Sequence, residues 1–172
     1  VTLAISLSLQ NALTNVIGGF NLLYTKPFVV GDFVEIATKS GTVLEVGLTY
    51  TRLRTADNKI ISIPNSAVVA TDIVNYSAAG TRRIDIAVTA SYDAPAATVK
   101  KALLEAAQVP GVLEDPAPMA ALDNYGDSAI GYILRAWCPV EIYYDTMYQI
   151  NENIKLRFDE AGVEMTYPHL NV

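Results

Sequence analysis

The spacing of apolar and polar positions divides the chain into three stretches. From Leu3 to Phe28 it reads LAISLSLQNALTNVIGGFNLLYTKPF, with no charged residue before Lys26. Leu3 and Leu7 are four apart, as are the small residues Ala4 and Ser8, and such pairs share a helix face. A charge-free run of about 25 residues matches a bilayer's span and predicts a membrane helix over 1–26. Small residues four apart let helices in a bundle approach closely. The alternative is a soluble amphipathic helix. Gln10, Asn11, Thr14, Asn15 and the pair Gly18-Gly19 interrupt the run and do not suit a plain lipid-facing span.

Lys26-Pro27 predicts the end of that helix, because the residue before proline avoids the α region. Alternation then sets in over 27–77. VVGDFVEIA predicts a turn at Gly31-Asp32 followed by a strand. GTVLEVGLTYTRLRTADNKIISIPN reads as three strands, the last two joined by a tight turn at Asp57-Asn58. Pro64-Asn65 breaks the last of these, and ATDIVNYS adds another short strand. Four or five short strands with little helix predict a small β-barrel.

The period changes again over 78–172, after the plausible linker Ala78-Ala79-Gly80. RRIDIAVTASY alternates as a strand, and Pro95 to Ala107 is a helix with Val99, Leu103 and Ala106 on one stripe. MAALDNY and AIGYILRAWC are strands around Gly126-Asp127. Glu141 to Ala161 is a long helix, its stripe Tyr143, Met147, Ile150, Ile154 and Phe158, with Gly162 placed to end it. With a last strand at Thr166-Tyr167-Pro168, the order β-α-β-β-α-β predicts a ferredoxin-like α+β domain.

Composition narrows the function. The net charge of −6 argues against nucleic acid as a partner, because phosphate neutralisation needs a basic face. A single cysteine, Cys138, rules out an internal disulfide and any multi-cysteine metal site, and its apolar context reads as core. His169 is the one histidine. The aspartates fall on turns, where aspartate is a good turn former. No nucleophile–base pair, zinc spacing or phosphate loop is present, so the expectation is no enzyme, no cofactor and no metal. The chain opens without Met inside an apolar stretch that no basic segment precedes. The expectation is a fragment rather than a signal peptide.

SLSLQNALTNVIGGF, KPFVVGDFVEI, GTVLEVGLTYTRLRTADNKIISIPNS, IVNYS, TRRIDIAVTASYD and FDEAGVEMTYP, in this order, resemble the pore helix and cytoplasmic region of the small-conductance mechanosensitive channel (MscS-like) family. KPFVVGD and TADNKIISIPN are the specific blocks. The resemblance implies a multi-pass protein of the cytoplasmic (inner) membrane, with residues after about 26 in the cytoplasm. It implies a homoheptamer with a kinked third transmembrane helix lining the pore, an Sm-like β domain and an α/β domain. The implied function is a channel, in contact with membrane lipids, whose pore is opened by tension after hypo-osmotic shock and releases ions and small solutes. A ligand- or ion-regulated channel of the same family, or a soluble Sm-like binding module, is the alternative.

On that resemblance, Leu3 and Leu7 are the expected pore gate, as hydrophobic rings that block ions by dewetting. The alternative is simple packing between neighbouring helices. Ala4, Ser6 and Ser8 are the expected sliding surfaces. The kink is expected at Gln10-Asn11, where the family commonly has glycine and this chain has asparagine, or at Gly18-Gly19, which also permits close packing. Asn15 is expected to bond the β domain near Asn65 or Ser66, since a buried amide wants a partner. Lys26, Arg52, Arg54 and Lys59 are expected near the inner leaflet, or alternatively on a solvated strand face.

Overall fold

The computed structural model describes residues 2–165, with side chains given for Ser6 and from Leu9 onward. The chain divides into two compact units, Val1–Ala79 and Gly80–Val172.

The first unit opens with helix α1, Thr2–Thr25. It continues as helix through Gln10-Asn11 and through Gly18-Gly19, so neither expected hinge interrupts it. Among the described residues, no helix is long and apolar enough to cross a membrane. The amides, hydroxyls and glycines after Leu9 dilute the apolar run of 1–26. Lys26 ends α1 with φ 46, a left-handed conformation that meets proline's ban on the right-handed one. Its N–H still reaches the Leu22 carbonyl at 2.9 Å.

Strands β1 (Phe33–Ile36), β2 (Lys39–Val46), β3 (Tyr50–Arg54) and β4 (Ile60–Pro64) follow, then the short helix α2 (Asn65–Val69) and β5 (Ile73–Asn75). They form one antiparallel sheet in the order β4-β3-β2-β1-β5. The end strands do not pair with each other, so the expected barrel is open at that seam. Alternation places Thr51 and Leu53 inside and Tyr50, Arg52 and Arg54 outside, as period-two geometry requires. At the β3–β4 turn Asn58 takes φ 64, which asparagine tolerates, and the Thr55 hydroxyl accepts from the Lys59 N–H at 2.9 Å. The core is Leu22, Phe28, Val34, Ile36, Val43, Leu53 and Val68.

The second unit contains β6 (Thr81–Ala90), α3 (Ala96–Ala106), β7 (Met119–Tyr125), β8 (Ile130–Pro139) and α4 (Tyr143–Ala161). Its sheet order is β6-β8-β7, all antiparallel. The expected last strand lies outside the described residues. The long helix starts at Tyr143 rather than Glu141, after a 3-10 turn at Val140–Ile142. Alternate residues of β6 and β8 (Ile84, Ile86, Tyr132, Leu134) share a core with Val99, Leu103, Ile150, Ile154 and Phe158 of the two helices. Each of the aliphatic side chains and Phe158 contributes about 1.5–3 kcal/mol on burial. Gly162 ends α4 at φ 65, and Val163 N–H bonds the Phe158 carbonyl at 2.8 Å, the long bond of a Schellman motif.

Candidate functional site

α1 docks on the first unit's sheet through one narrow stripe. Gly18, Gly19 and Leu22 are its buried residues among those described, and Asn15 and Val16 are half-buried. A Cβ on Gly18 would lie 3.0 Å from the Asn65 backbone carbon and oxygen. A Cβ on Gly19 would lie 2.5 Å from Asn65 Nδ2 and 2.7 Å from the Leu48 carbonyl oxygen. The two glycines are therefore close-approach residues: the helix backbone rests on the start of α2 and the β2–β3 turn.

Asn65 is the centre of this junction. It is fully buried and lies just after Pro64, which ends β4. Its Oδ1 accepts from the Thr51 hydroxyl at 2.9 Å, its Nδ2 donates to the Gly47 carbonyl at 2.9 Å, and its N–H donates to the Thr49 carbonyl at 2.9 Å. Its side-chain hydrogen bonds thus stay within the β unit, while its amide nitrogen lies directly against Gly19 of α1. The link to the helix is made one residue on. Asn15 Oδ1 accepts from the Ser66 backbone N–H at 3.0 Å. That N–H is in the first turn of α2, where backbone donors have no intrahelical partner. Asn15 Nδ2 donates back to the Asn11 carbonyl at 3.0 Å, which fixes the amide's orientation. The structure therefore brings together Asn15, Gly18, Gly19, Asn65 and Ser66.

The other expected site residues lie elsewhere. Gln10, Asn11 and Ser6 are exposed on α1. The side chains of Leu3, Ala4, Leu7 and Ser8 fall outside the described residues. Arg52 pairs with Glu45 at 3.1 Å across β2 and β3, both half exposed. Lys59 pairs with Asp57 at 2.5 Å, and this contact, with the Thr55 hydroxyl, holds the Asp57 carboxyl below its usual range. Among the described residues, Lys26 and Arg54 make no ion pair. Arg82 stacks over the Tyr143 ring at 3.8 Å, while Arg83 forks onto Asp85 at 2.6 and 2.8 Å.

Sequence reading missed a second cluster, Asp32, Asn75 and Ser77: Asn75 Nδ2 donates to Asp32 Oδ2 across 43 residues of chain, and the Ser77 hydroxyl accepts from the Phe33 N–H. The one available signal was the turn chemistry of GD and NYS. No group of three or more metal-ligating side chains occurs among the described residues. Burial raises the Cys138 thiol above its ordinary range, which suits a core residue rather than a nucleophile.

Comparison with known proteins bears on both units. A model of the mechanosensitive ion channel β-domain matches residues 11–78. A model of the C-terminal part of the mechanosensitive ion channel MscS matches 83–165. The small-conductance mechanosensitive channel of Edwardsiella ictaluri is 34% identical over 171 residues, which is 99% of this chain and 60% of that protein. The small-conductance mechanosensitive channel MscMJ of Methanocaldococcus jannaschii is 30% identical over 178 residues, 99% of this chain and 50% of that protein. The chain thus spans little more than half the length of these relatives. The closed-state crystal structure of Helicobacter pylori MscS superposes with a TM-score of 0.92 at 24% identity, covering 99% of this chain and 68% of that one. With both units matched in order by models of that family, and with named channels alike along almost its whole length, the chain belongs to the MscS family of mechanosensitive ion channels.

Proposed function

We propose that this chain is the pore helix and cytoplasmic portion of a mechanosensitive ion channel that membrane tension opens, releasing ions and small solutes on hypo-osmotic shock. The observation that carries the proposal is the pairing of the two family models, in order, with relatives that are themselves named mechanosensitive channels.

In this reading the protein is a homoheptamer in the cytoplasmic membrane, with the β and α/β units on its inner side. The first turns of α1 line the pore, covered by neighbouring copies, so α1 has no need to be a lipid-facing span by its own composition. Leu3 and Leu7 form the apolar constriction, and Ala4, Ser6 and Ser8 are the surfaces on which helices slide. Gln10-Asn11 is the point where the pore-lining segment bends away from the docked one when the ring forms. Gly18-Gly19 serves close docking. Asn15, with Asn65 and Ser66, couples the docked segment to the β unit. Lys26 and Arg54 are the cations free to meet anionic lipid, since Arg52 and Lys59 are already paired.

The test is patch recording of the full-length protein in liposomes under stepped suction. Tension-gated openings that Leu7→Ser moves to lower tension support both channel and gate. Silence up to patch rupture with insertion confirmed, or a Leu7→Ser channel that gates as wild type, overturns the channel or the gate respectively.

A further inference from the structure

The loop that leaves α1 and the segment that leaves the β unit are fastened to each other by a cluster of side-chain bonds beside the β1–β5 backbone pairing. Val29 to Asp32 is a turn with Asp32 N–H bonding the Val29 carbonyl at 3.1 Å and Gly31 at φ 100. Asp32 Oδ2 accepts from the Val29 N–H at 3.0 Å and from Asn75 Nδ2 at 2.8 Å. The same Asn75 Nδ2 donates to the Pro27 carbonyl at 3.2 Å. Asn75 Oδ1 accepts from the N–H groups of Ser77 at 2.9 Å and Ala78 at 3.0 Å. A primary amide has two donor hydrogens and two acceptor lone pairs, and Asn75 uses all four. Two further bonds close the cluster: Phe33 N–H to Ser77 Oγ at 2.9 Å, and Tyr76 N–H to the Phe33 carbonyl at 3.0 Å. The Tyr76 ring packs on Phe33 at 5.7 Å, with its hydroxyl on Glu35 Oε2 at 2.9 Å.

Asp32 and Asn75 are both half-buried, and Asp32 makes no ion pair among the described residues. Of the titratable groups nearby, Glu35 is taken by Tyr76, and Lys26, at the end of α1, bonds neither partner. Other residues that can form turns do not reproduce this four-way closure. A simple Asx turn at Asp32 would satisfy Val29 alone, and a β5 ending in an apolar residue would leave Pro27, Ser77 and Ala78 unserved.

We infer that Asp32 and Asn75 are a positioning pair for the tension response, a clasp that makes the end of α1 and the exit toward the second unit move as one body. A loop of seven residues after a helix would otherwise absorb a displacement of that helix. Clasped, the loop passes the displacement to Asn75–Ala78 and so to the chain entering the second unit. The inference rests on the channel reading above.

Asn75→Asp tests it, because it sets two carboxylates at the site of one hydrogen bond and removes both donors. Such pairs share a proton, so one carboxyl titrates well above its usual range. The full-length protein is recorded in liposomes at pH 8 and pH 5, wild type alongside. The expected result is a gating tension in Asn75→Asp that is shifted at pH 8 and returns toward wild type at pH 5, while wild type gains no matching shift between the two. The double variant Asp32→Asn/Asn75→Asp restores one donor–acceptor pair and is expected to lose that pH dependence. Hydrogen exchange of 27–33 and 75–78 in the same preparations is expected to follow the same pattern.

A shift of equal size at both pH values would mark general damage and overturn the inference. So would pH-dependent exchange with wild-type gating, since the clasp would then be structural only. Wild-type silence with insertion confirmed overturns the channel reading and the gating role together, whereas wild-type gating with an indifferent variant overturns the clasp alone.

Discussion

Asn15 and Ser66, 51 residues apart, meet through a single 3.0 Å bond from the Ser66 N–H to the Asn15 side-chain oxygen. The donor belongs to the exposed-end amides of a five-residue helix that has no side-chain cap of its own. Asn15 is in effect the cap of α2, supplied from another helix.

Asn15→Ala is expected to cost about 1 kcal/mol, the usual value for a half-buried neutral hydrogen bond. Thermal unfolding reads the loss. In the assembled channel the same variant is expected to change the recovery from sustained tension. Unchanged gating and recovery would remove the coupling role while leaving the stability effect intact.

The two glycines of α1 are expected to rank in a fixed order. Gly19→Ala drives a methyl to 2.5 Å from Asn65 Nδ2 and 2.7 Å from a backbone oxygen, whereas Gly18→Ala reaches 3.0 Å at nearest. Overpacking of this kind costs about 1–3 kcal/mol, and helix propensity returns under 1 kcal/mol of it. Denaturant titration should find Gly19→Ala the more damaged. Equal effects would mean that α1 shifts away as a whole at little cost.

Thr51→Val and Asn65→Ala probe the buried junction from its two sides. Thr51→Val removes a donor from Asn65 Oδ1 and is expected to cost about 1–2 kcal/mol. Asn65→Ala leaves the Thr51 hydroxyl and the Gly47 carbonyl without partners and opens a small cavity, so about 2–4 kcal/mol is expected. The double variant should lose less than the sum, because the two residues share one bond. Additive losses would contradict the bond.

Cys138 is fully buried, and burial pushes its thiol up. The folded protein is therefore expected to resist iodoacetamide at neutral pH and to react only on unfolding. The folded thiol holds its proton to higher pH than the unfolded one. Its contribution is thus complete below the ordinary thiol range and is lost as pH rises through the folded value. Fast alkylation of the native chain at neutral pH would contradict this placement.

The elements were legible where a local rule was enough. Lys26-Pro27 ends α1, Asp57-Asn58 turns β3 into β4, the stripe Val99, Leu103 and Ala106 is buried, and Gly162 ends α4. Helix α2 was read only as a break after Pro64, since five residues are too few to show a period. The bulge between Val43 and Glu45 leaves no mark in an alternating pattern. Gly18-Gly19 could be read as a close-approach site, but what approaches it is set by long-range packing. Asn75 was read as the tail of a strand because its four partners lie at Pro27, Asp32, Ser77 and Ala78. Sequence distance hides such closure until the fold supplies it.

The glycine seat of α1 has a mechanical consequence. Sliding α1 by one position means a rise of about 1.5 Å and a turn of about 100°. That would bring Ile17 or Phe20 to a surface that has no room for a methyl group. The helix therefore has one admissible register on the β unit. Intermediate placements clash, so the contact acts as a detent: α1 is either seated or lifted clear. A load on the helix would be held without creep until it is large enough to unseat it.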